Sequence, residues 1–278
     1  MKASIQQVGL GLRSPHMEQI LANRPDVPWF ELLTDNWLDA SGIDGFLLDK
    51  VTELYPVTLH GVGMNLGGID PLNLAYLAKV KTLAKRCEAS WVSDHLSFSA
   101  VDGHQLHDLA PLPYTEESLQ HLITRIQQAQ DFLGQALVVE NISAYLAYEH
   151  TTINEADFLN TLANETQCEI LLDVNNLCVN QKNLGQNAIK FINTLNPSIV
   201  KEIHLGGYTD KGDYFLDAHN NPVSEPVWLL YEFAIQKLID VPTLIEWDND
   251  LPDFKTLVEE QQKAMAIMSK YSETPIFA

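Results

Sequence analysis

The feature of this sequence that most constrains its fold is one unit that recurs eight times: a short apolar run, a loop and an amphipathic stretch. The apolar runs, rich in Val, Ile, Leu or Trp, lie at 7–12, 29–34, 57–62, 90–95, 136–141, 169–174, 200–205 and 243–247. Runs that are apolar on both faces are typical of strands in a parallel sheet that is covered on both sides. The amphipathic stretches predict helices at 16–23, 43–54, 71–87, 115–133, 154–165, 185–195, 226–239 and 252–271.

Strands and helices that alternate eight times in 278 residues predict a (β/α)8 TIM barrel, and we expect it to form a single domain over residues 1–278. A doubly wound open sheet is the alternative, but it usually needs fewer strands, and no linker interrupts the chain. Pro71 favours the first turn of the helix predicted at 71–87. The longest connections, 96–114 and 205–225, are candidate binding loops.

The charge balance limits the partners of the protein. The chain has 17 Lys and Arg residues against 37 Asp and Glu residues, a net charge of −20, which argues against binding to nucleic acid or to an anionic membrane. No apolar run is long enough for a transmembrane helix, and the first residues do not resemble a signal peptide. Cys87, Cys168 and Cys178 form no C-x-x-C motif and predict reduced thiols. We therefore expect a cytoplasmic protein.

Six consecutive predicted strands, the third to the eighth, end in a residue that can bind a metal. These residues are, in order, His60, His95, Glu140, Asp173, His204 and Glu246, and the connection after the seventh strand adds Asp217 and His219. In a barrel the carboxyl ends of the strands meet on the face where barrel enzymes keep their active sites. Any one of these residues could be a hydrogen-bonded core residue, but that reading does not account for six matched positions.

Metal ions are the simplest partners for this set. Four carboxylates in one crevice repel each other at pH 7, and Arg and Lys are few, with none at a predicted strand end. The number of ligands indicates two or three ions. The histidines argue against Mg²⁺ and Ca²⁺, and the lack of cysteine argues against a structural zinc or iron–sulfur site. Iron, manganese and zinc remain open.

Eight motifs in this order resemble those of the multinuclear non-haem iron-dependent oxidative enzymes. The motifs are LHGVGMNLGG, SDHLSF, APLPYTEE, VENIS, DVNN, EIHLGGY, LDAHNNPV and LIEWDNDLP, and the resemblance runs from the first strand to about Phe254. That family includes the methanobactin biosynthesis oxidase and was long catalogued as a domain of unknown function. The resemblance implies a TIM barrel with two or three irons at its mouth.

The resemblance also implies which residues bind the metals. Matched motif by motif, the implied ligands are His60, His95, Glu140, Asp173, Asn176, His204, Asp217, His219 and Glu246. Of these, Asn176 comes from the resemblance alone. The residues expected to carry the catalysis through the metals are Glu140, Asp173, His204 and Glu246.

Members of this family modify ribosomally made precursor peptides, typically at cysteine, with O2 as co-substrate. By resemblance we expect mixed-valence iron, a precursor peptide as substrate, and a separate partner protein that binds the peptide's leader, since no peptide-binding domain is recognisable in this chain. The ligand order is also similar to that of endonuclease-IV-type barrels and, more loosely, of xylose-isomerase-like barrels. A metal-dependent hydrolase or isomerase is therefore the alternative. Those nucleases generally carry His where this chain has Asn176, and a net charge of −20 suits DNA poorly.

Overall fold

The computed structural model of the chain describes residues 5–272, and its centre is a closed barrel of eight parallel strands. Each strand pairs with its neighbours in sequence, and the last pairs with the first. The strands are β1 Val8–Leu12, β2 Phe30–Leu33, β3 Val57–Gly61, β4 Val92–His95, β5 Leu137–Glu140, β6 Glu169–Asp173, β7 Val200–Leu205 and β8 Thr243–Ile245. The predicted barrel is thus confirmed, and the open sheet is wrong. Residues 1–4 and 273–278 of the predicted single domain lie outside the described residues.

Helices surround the barrel between consecutive strands. They are α1 Met17–Asn23, α2 Gly42–Leu54, α3 Leu74–Cys87, α4 Glu116–Leu133, α5 Glu155–Thr166, α6 Val174–Leu184, α7 Ala188–Thr194, α8 Glu225–Ile235 and α9 Phe254–Ser272. Helix α3 begins later than predicted, because the Asn73 side chain, and not Pro71, sets its start. Asn73 accepts a hydrogen bond from the backbone N–H of Tyr76 at 3.1 Å and so caps the helix.

Two parts of the chain carry more structure than predicted. Helix α6 follows β6 with no connecting residue, so the predicted helix 185–195 corresponds only to α7. The two long connections each contain a small antiparallel hairpin. The first pairs Phe98–Val101 with His104–Ala110, and the second pairs Thr209–Asp210 with Phe215–Leu216. Both hairpins lie in loops at the carboxyl ends of the strands.

The barrel interior is layered, because alternate residues of a strand share a face. The lowest layer is an apolar floor that contains Trp29, Trp91, Val138, Leu171 and Leu244. Other strands carry buried polar side chains inside the barrel, among them Glu31, Thr58, Ser93 and Glu202. On each of the strands β3 to β8, a predicted metal ligand comes two residues after one of these inward-facing side chains, toward the carboxyl end of the strand. An apolar floor therefore closes the barrel beneath a polar upper half.

The three cysteines, Cys87, Cys168 and Cys178, are buried. Burial raises the pKa of the thiols of Cys168 and Cys178 to about 11. Among residues 5–272, no helix combines the length and the apolar character that crossing a bilayer requires.

Candidate metal centre

The structure brings the nine predicted ligands into one connected cluster at the mouth of the barrel. The register of neighbouring strands places several of them side by side, since His95 pairs with Glu140, and Asp173 pairs with His204. Asp217 and His219 reach the same place from the connection between β7 and α8, and Asn176 lies in the first turn of α6.

Glu140 forms the centre of the first group of contacts. Its Oε2 atom lies 3.2 Å from Nε2 of His60 and 3.3 Å from Nε2 of His95. The other ring nitrogen of His95, Nδ1, donates to the carbonyl of Gly61 at 3.0 Å. His60 Nδ1 is 2.8 Å from the hydroxyl of Ser93, which itself donates to a backbone carbonyl, so Nδ1 of His60 is the donor as well. Each ring therefore presents the lone pair of Nε2 to the same carboxylate oxygen.

The pKa values of these groups describe a site that lacks a counter-charge. Burial, reinforced by neighbouring imidazoles, lowers the pKa of His60 well below its usual value, and burial also lowers the pKa of His95. Burial raises the pKa of Glu140 well above its usual value, with the charges of Asp173 and Glu246 acting in the same direction. A bound cation would keep both imidazoles neutral, as metal ligands must be, and would favour the ionised form of Glu140.

Glu246 forms the centre of a second group. Its Oε2 atom lies 3.1 Å from Nδ1 of His204 and 3.1 Å from Nδ1 of His219. Burial acts to raise the pKa of Glu246, but the charges of His219 and His204 outweigh it and hold this pKa well below its usual value. For both histidines burial acts to lower the pKa, and the carboxylates around them raise it well above the usual value instead. This group is compensated even without a metal.

Asp173, Asp217 and His219 form the third, outer group. Nε2 of His219 lies 2.8 Å from Oδ1 of Asp217 and 4.0 Å from Oδ2 of Asp173. Asp217 is held on three sides, because it accepts hydrogen bonds from Ser143 at 2.9 Å and from Asn175 at 2.8 Å, and its backbone N–H donates to the Tyr145 hydroxyl at 2.9 Å. Burial raises the pKa of Asp173 to about 7.

Asn176 connects the first and third groups. Its amide nitrogen donates to Glu140 Oε1 at 3.1 Å and to the carbonyl of Asn141 at 3.0 Å, and its backbone N–H donates to Asp173 at 2.5 Å. The side-chain oxygen is buried without a hydrogen-bond partner. That oxygen is the atom of Asn176 that remains free to bind a metal.

Two buried acids that the sequence reasoning missed lie directly beneath this cluster. Glu31 Oε1 lies 3.1 Å from Nε2 of His204, and Glu202 lies 3.6 Å from the same nitrogen. Thr58 and Trp91 donate hydrogen bonds to the outer oxygens of these two acids, at 3.0 and 2.8 Å. The sequence does contain a sign of them, because an acid inside an apolar run, as in WFELLT and VKEIHL, predicts a buried carboxylate. These acids orient the His204 ring so that Nδ1 faces the mouth.

The expectation that no Arg or Lys stands at a strand end is wrong for Arg13. This buried residue directly follows β1, where its guanidinium pairs with Asp248. Because the guanidinium of Arg13 is paired with Asp248, it does not neutralise the carboxylates that lie deeper in the mouth. Within residues 5–272, no Lys or Arg pairs with the four carboxylates predicted as ligands, Glu140, Asp173, Asp217 and Glu246.

The residues present fit a multinuclear metal centre. Three overlapping groups of residues each offer three donor atoms that lie within 4.8 Å of one another. The groups are His60 with Glu140 and His204, Glu31 with His204 and Glu246, and Asp173 with His219 and Glu246. One oxygen each of Glu140, Asp173 and Asn176 is buried with no hydrogen-bond partner among the described residues. Leaving such acceptors unsatisfied is costly, and carboxylate, amide and imidazole donors together suit first-row transition metals.

A cavity of about 200 Å³ lies over these groups and is lined by His60, His95, Glu140 and Asn176 from the barrel side. Asp108 and Leu109 of the first hairpin and Tyr145 of the β5–α5 connection form its rim. Both long connections therefore contribute to the mouth, the second through Asp217 and His219. The cavity is smaller than a typical site for a drug-sized ligand, which measures about 300–1,000 Å³, so it fits a small group or one inserted side chain.

The fold is that of a TIM barrel, and solved barrels of the xylose-isomerase-like type are similar to it. A D-psicose 3-epimerase from Clostridium cellulolyticum H10, solved with D-tagatose, matches with a TM-score of 0.63 at 12% identity and covers 97% of this chain and 100% of that chain. A xylose isomerase-like TIM barrel/4-hydroxyphenylpyruvate dioxygenase fusion protein matches with a TM-score of 0.59 at 11% identity, covering 99% of this chain and 46% of that chain. At such identities the likeness shows the fold alone.

Sequence comparison shows the family. The family model of the RiPP precursor modification enzymes MbnB/TglH/ChrH matches residues 7–269. RiPPs are ribosomally synthesised and post-translationally modified peptides. A UPF0276 protein of Acaryochloris marina is 46% identical over 261 residues, which is 94% of each chain. Another, from Anaeromyxobacter sp., is 40% identical over 259 residues, covering 93% of this chain and 92% of that one. The chain belongs to this family of precursor-modifying enzymes, so the family expected from the motifs is confirmed.

Proposed function

We propose that the mouth of the barrel holds two or three iron ions in mixed valence, and that the enzyme uses O2 to oxidise a cysteine of a ribosomally made precursor peptide. The observation that carries the metal part is the convergence of the Nε2 lone pairs of His60 and His95 on one oxygen of Glu140. Two acceptor nitrogens that both lie within 3.3 Å of one carboxylate oxygen repel that oxygen, and a cation among them would replace the repulsion with attraction. Membership of the family of RiPP precursor modification enzymes supports the proposal that the substrate is a precursor peptide.

The three groups of contacts support the proposed distribution of ligands between the ions. His60, His95 and Glu140 hold one ion, and Asp217 and His219 belong to an outer one. The proposed catalytic residues lie on four neighbouring strands, between the ion at His60 and His95 and the outer ion. They are Glu140, Asp173, His204 and Glu246. Asn176 contributes its unpartnered side-chain oxygen. When bound, iron supplies the redox chemistry with O2 as the oxidant.

The protein's own contribution is to admit one side chain and to keep it still. A cavity of about 200 Å³ accommodates a cysteine side chain but not a folded peptide, so the substrate must enter as an extended segment. A substrate thiol held here would be bound as its thiolate, since a thiol that binds a metal ion loses its proton. Asp108, Leu109 and Tyr145 at the rim are positioned to contact the residues next to that cysteine.

The partner and the location complete the proposal. A separate protein that binds the leader of the precursor would deliver the peptide in trans, in the cytoplasm, where the substrate thiol stays reduced. Neither nucleic acid nor a membrane is a proposed partner, because a net charge of −20 repels both.

The test compares metals and substrates in one assay. Protein loaded with iron or with zinc is mixed with a cysteine-containing precursor peptide and its leader-binding partner, and O2 uptake and peptide mass are followed. We expect iron-dependent O2 uptake and a mass change, both lost when the peptide's cysteine is replaced by serine. Zinc-dependent cleavage of abasic-site DNA or isomerisation of a ketose, with no O2 uptake for any peptide, would overturn the proposal in favour of the hydrolase or isomerase.

A further inference from the structure

Helix α6 carries a row of asparagines on one face, and the metal-binding proposal uses only the first of them. Asn176, Asn180 and Asn183 are spaced four and three residues apart, so they lie on the same side of the helix. Asn180 is 1% exposed, and its side chain accepts from the backbone N–H of Ala144 at 2.7 Å and donates to the carbonyl of Ile142 at 2.9 Å. Each asparagine thus binds a loop beside the metal centre.

Asn183 makes the corresponding pair of bonds to a different loop, and its nitrogen also donates a longer bond, at 3.4 Å, to the carbonyl of Ala144 in the segment that Asn180 holds. Its side-chain oxygen accepts from the backbone N–H of Phe215 at 2.8 Å, and its nitrogen donates to the carbonyl of the same residue at 2.9 Å. Phe215 belongs to the strap, which we define as residues 206–221. The strap carries Asp217 and His219, and Asp217 lies only two residues beyond the position that Asn183 holds.

The strap holds only part of its shape by itself, mainly through the stacked rings of Tyr208 and Phe215, whose centroids are 3.9 Å apart. Its hairpin strands are two residues each, too short to be stable alone. Its two ends pack so closely that a Cβ atom on Gly206 would lie 2.5 Å from the His219 ring, and one on Gly207 would lie 2.0 Å from the carbonyl oxygen of Asn221. These close contacts fix where the strap starts and ends, whereas Asn183 fixes Phe215 in the second strand of its hairpin.

We propose that Asn180 and Asn183 are positioning residues that assemble the outer half of the metal centre. Asn183 docks the strap onto α6, and Asn180 docks the 142–144 segment, whose Ser143 donates to Asp217 at 2.9 Å. The outer ion then binds tightly only when both loops are docked. This inference rests on the proposed multinuclear centre, and it concerns residues that touch neither metal nor substrate.

The chain offers a matched control at the other end of the barrel. Asn160 on α5 makes the same type of two-bond contact, donating to the carbonyl of Thr194 at 2.9 Å and accepting from the N–H of Asn196 at 2.8 Å. These partners lie before β7, away from the mouth. Asn160→Ala therefore removes equivalent bonds without touching the strap.

The experiment measures metal content and metal affinity of the full chain by elemental analysis and iron titration, and hydrogen exchange of the metal-free protein. In Asn183→Ala we expect faster exchange at Phe215 and an outer ion bound about 10–100-fold more weakly, with the ion at His60, His95 and Glu140 retained. Asn183→Asp keeps the acceptor and loses the donor, so the affinity of this variant for the outer ion should lie between those of wild type and Asn183→Ala. Asn160→Ala should keep every ion.

The outcomes separate this inference from the proposal beneath it. If wild type holds two or more ions and Asn183→Ala binds all of them equally tightly although Phe215 exchanges faster, docking of the strap does not control the outer ion. Equal metal loss in Asn160→Ala and Asn183→Ala would reduce the effect to general stability and refute a positioning role. A wild type that holds fewer than two ions would refute the multinuclear centre itself, and this inference with it.

Discussion

Removal of the metals should make the stability of the protein depend strongly on pH, and Asp173 allows the size of the effect to be worked out. In the metal-free fold, burial raises the pKa of Asp173 from its ordinary 3.8 to about 7, with the charges of Asp217 and Glu246 adding to the effect against those of His219 and His204. Its contribution to stability is fully present below the unfolded value and is lost as the pH rises through about 7. A bound cation favours the ionised form and removes most of this loss.

The magnitude follows from linkage. Between about pH 5 and the folded pKa of about 7, the contribution of Asp173 to the free energy of unfolding falls by roughly 1.36 kcal/mol per pH unit, so Asp173 alone accounts for a loss of about 3 kcal/mol on going to about pH 8. For a chain of this size that corresponds to a fall of roughly 6 °C in Tm. The metal-loaded protein should show a much smaller fall.

The assay is thermal unfolding followed by circular dichroism, at constant ionic strength, after chelation and after reloading. Asp173→Asn keeps the size of the side chain and an oxygen to cap α6, but it cannot ionise, so its metal-free Tm should fall less with pH. Asp131→Asn changes an exposed carboxylate on α4 and should behave like wild type. A metal-free Tm that is flat over this range, or a decline in Asp173→Asn as steep as in wild type, would refute the reasoning.

Three further expectations concern the ligands. Glu140→Ala should lose more metal in elemental analysis than His60→Ala or His95→Ala, because one oxygen of Glu140 serves both imidazoles; equal losses would contradict its central role. Asp217→Ala should cost about one metal equivalent and leave the others, and loss of all metal would show that the groups are not separable. Asn176→His should reduce O2-dependent turnover, because the imidazole cannot reproduce the amide's bond to Glu140, whereas a gain in phosphodiester cleavage would point to the hydrolase.

The sequence carries the barrel and most of the centre in its pattern, because both follow from local rules. Apolar runs of strand length predict the strands, and a ligand at each strand end predicts convergence at the mouth, as found for His95 beside Glu140. Helix α6 is not predictable in this way, since asparagine disfavours helices in isolation. Contacts such as the two bonds of Asn183 to Phe215 stabilise that helix, and only the folded chain provides them.

The acids beneath the centre were missed for a different reason. Glu31 and Glu202 lie within apolar runs, not at their ends, so the expectation that ligands stand at strand ends does not predict them. Their role depends on which nitrogen of His204 they face, and for Glu31 this is set only when the barrel closes, because Glu31 and His204 lie on strands far apart in sequence. Arg13 was missed because its partner, Asp248, is 235 residues away.

The burial of the three cysteines bears on how such an enzyme survives its own chemistry. The thiolate is the form of cysteine that binds metals and reacts with oxidants, and burial raises the pKa of Cys168 and Cys178 to about 11. At neutral pH these side chains are therefore protonated and enclosed in apolar packing. A catalyst proposed to activate O2 against a peptide thiol thus keeps its own thiols in the unreactive state, so that the sulfur most open to attack at the mouth is that of the substrate.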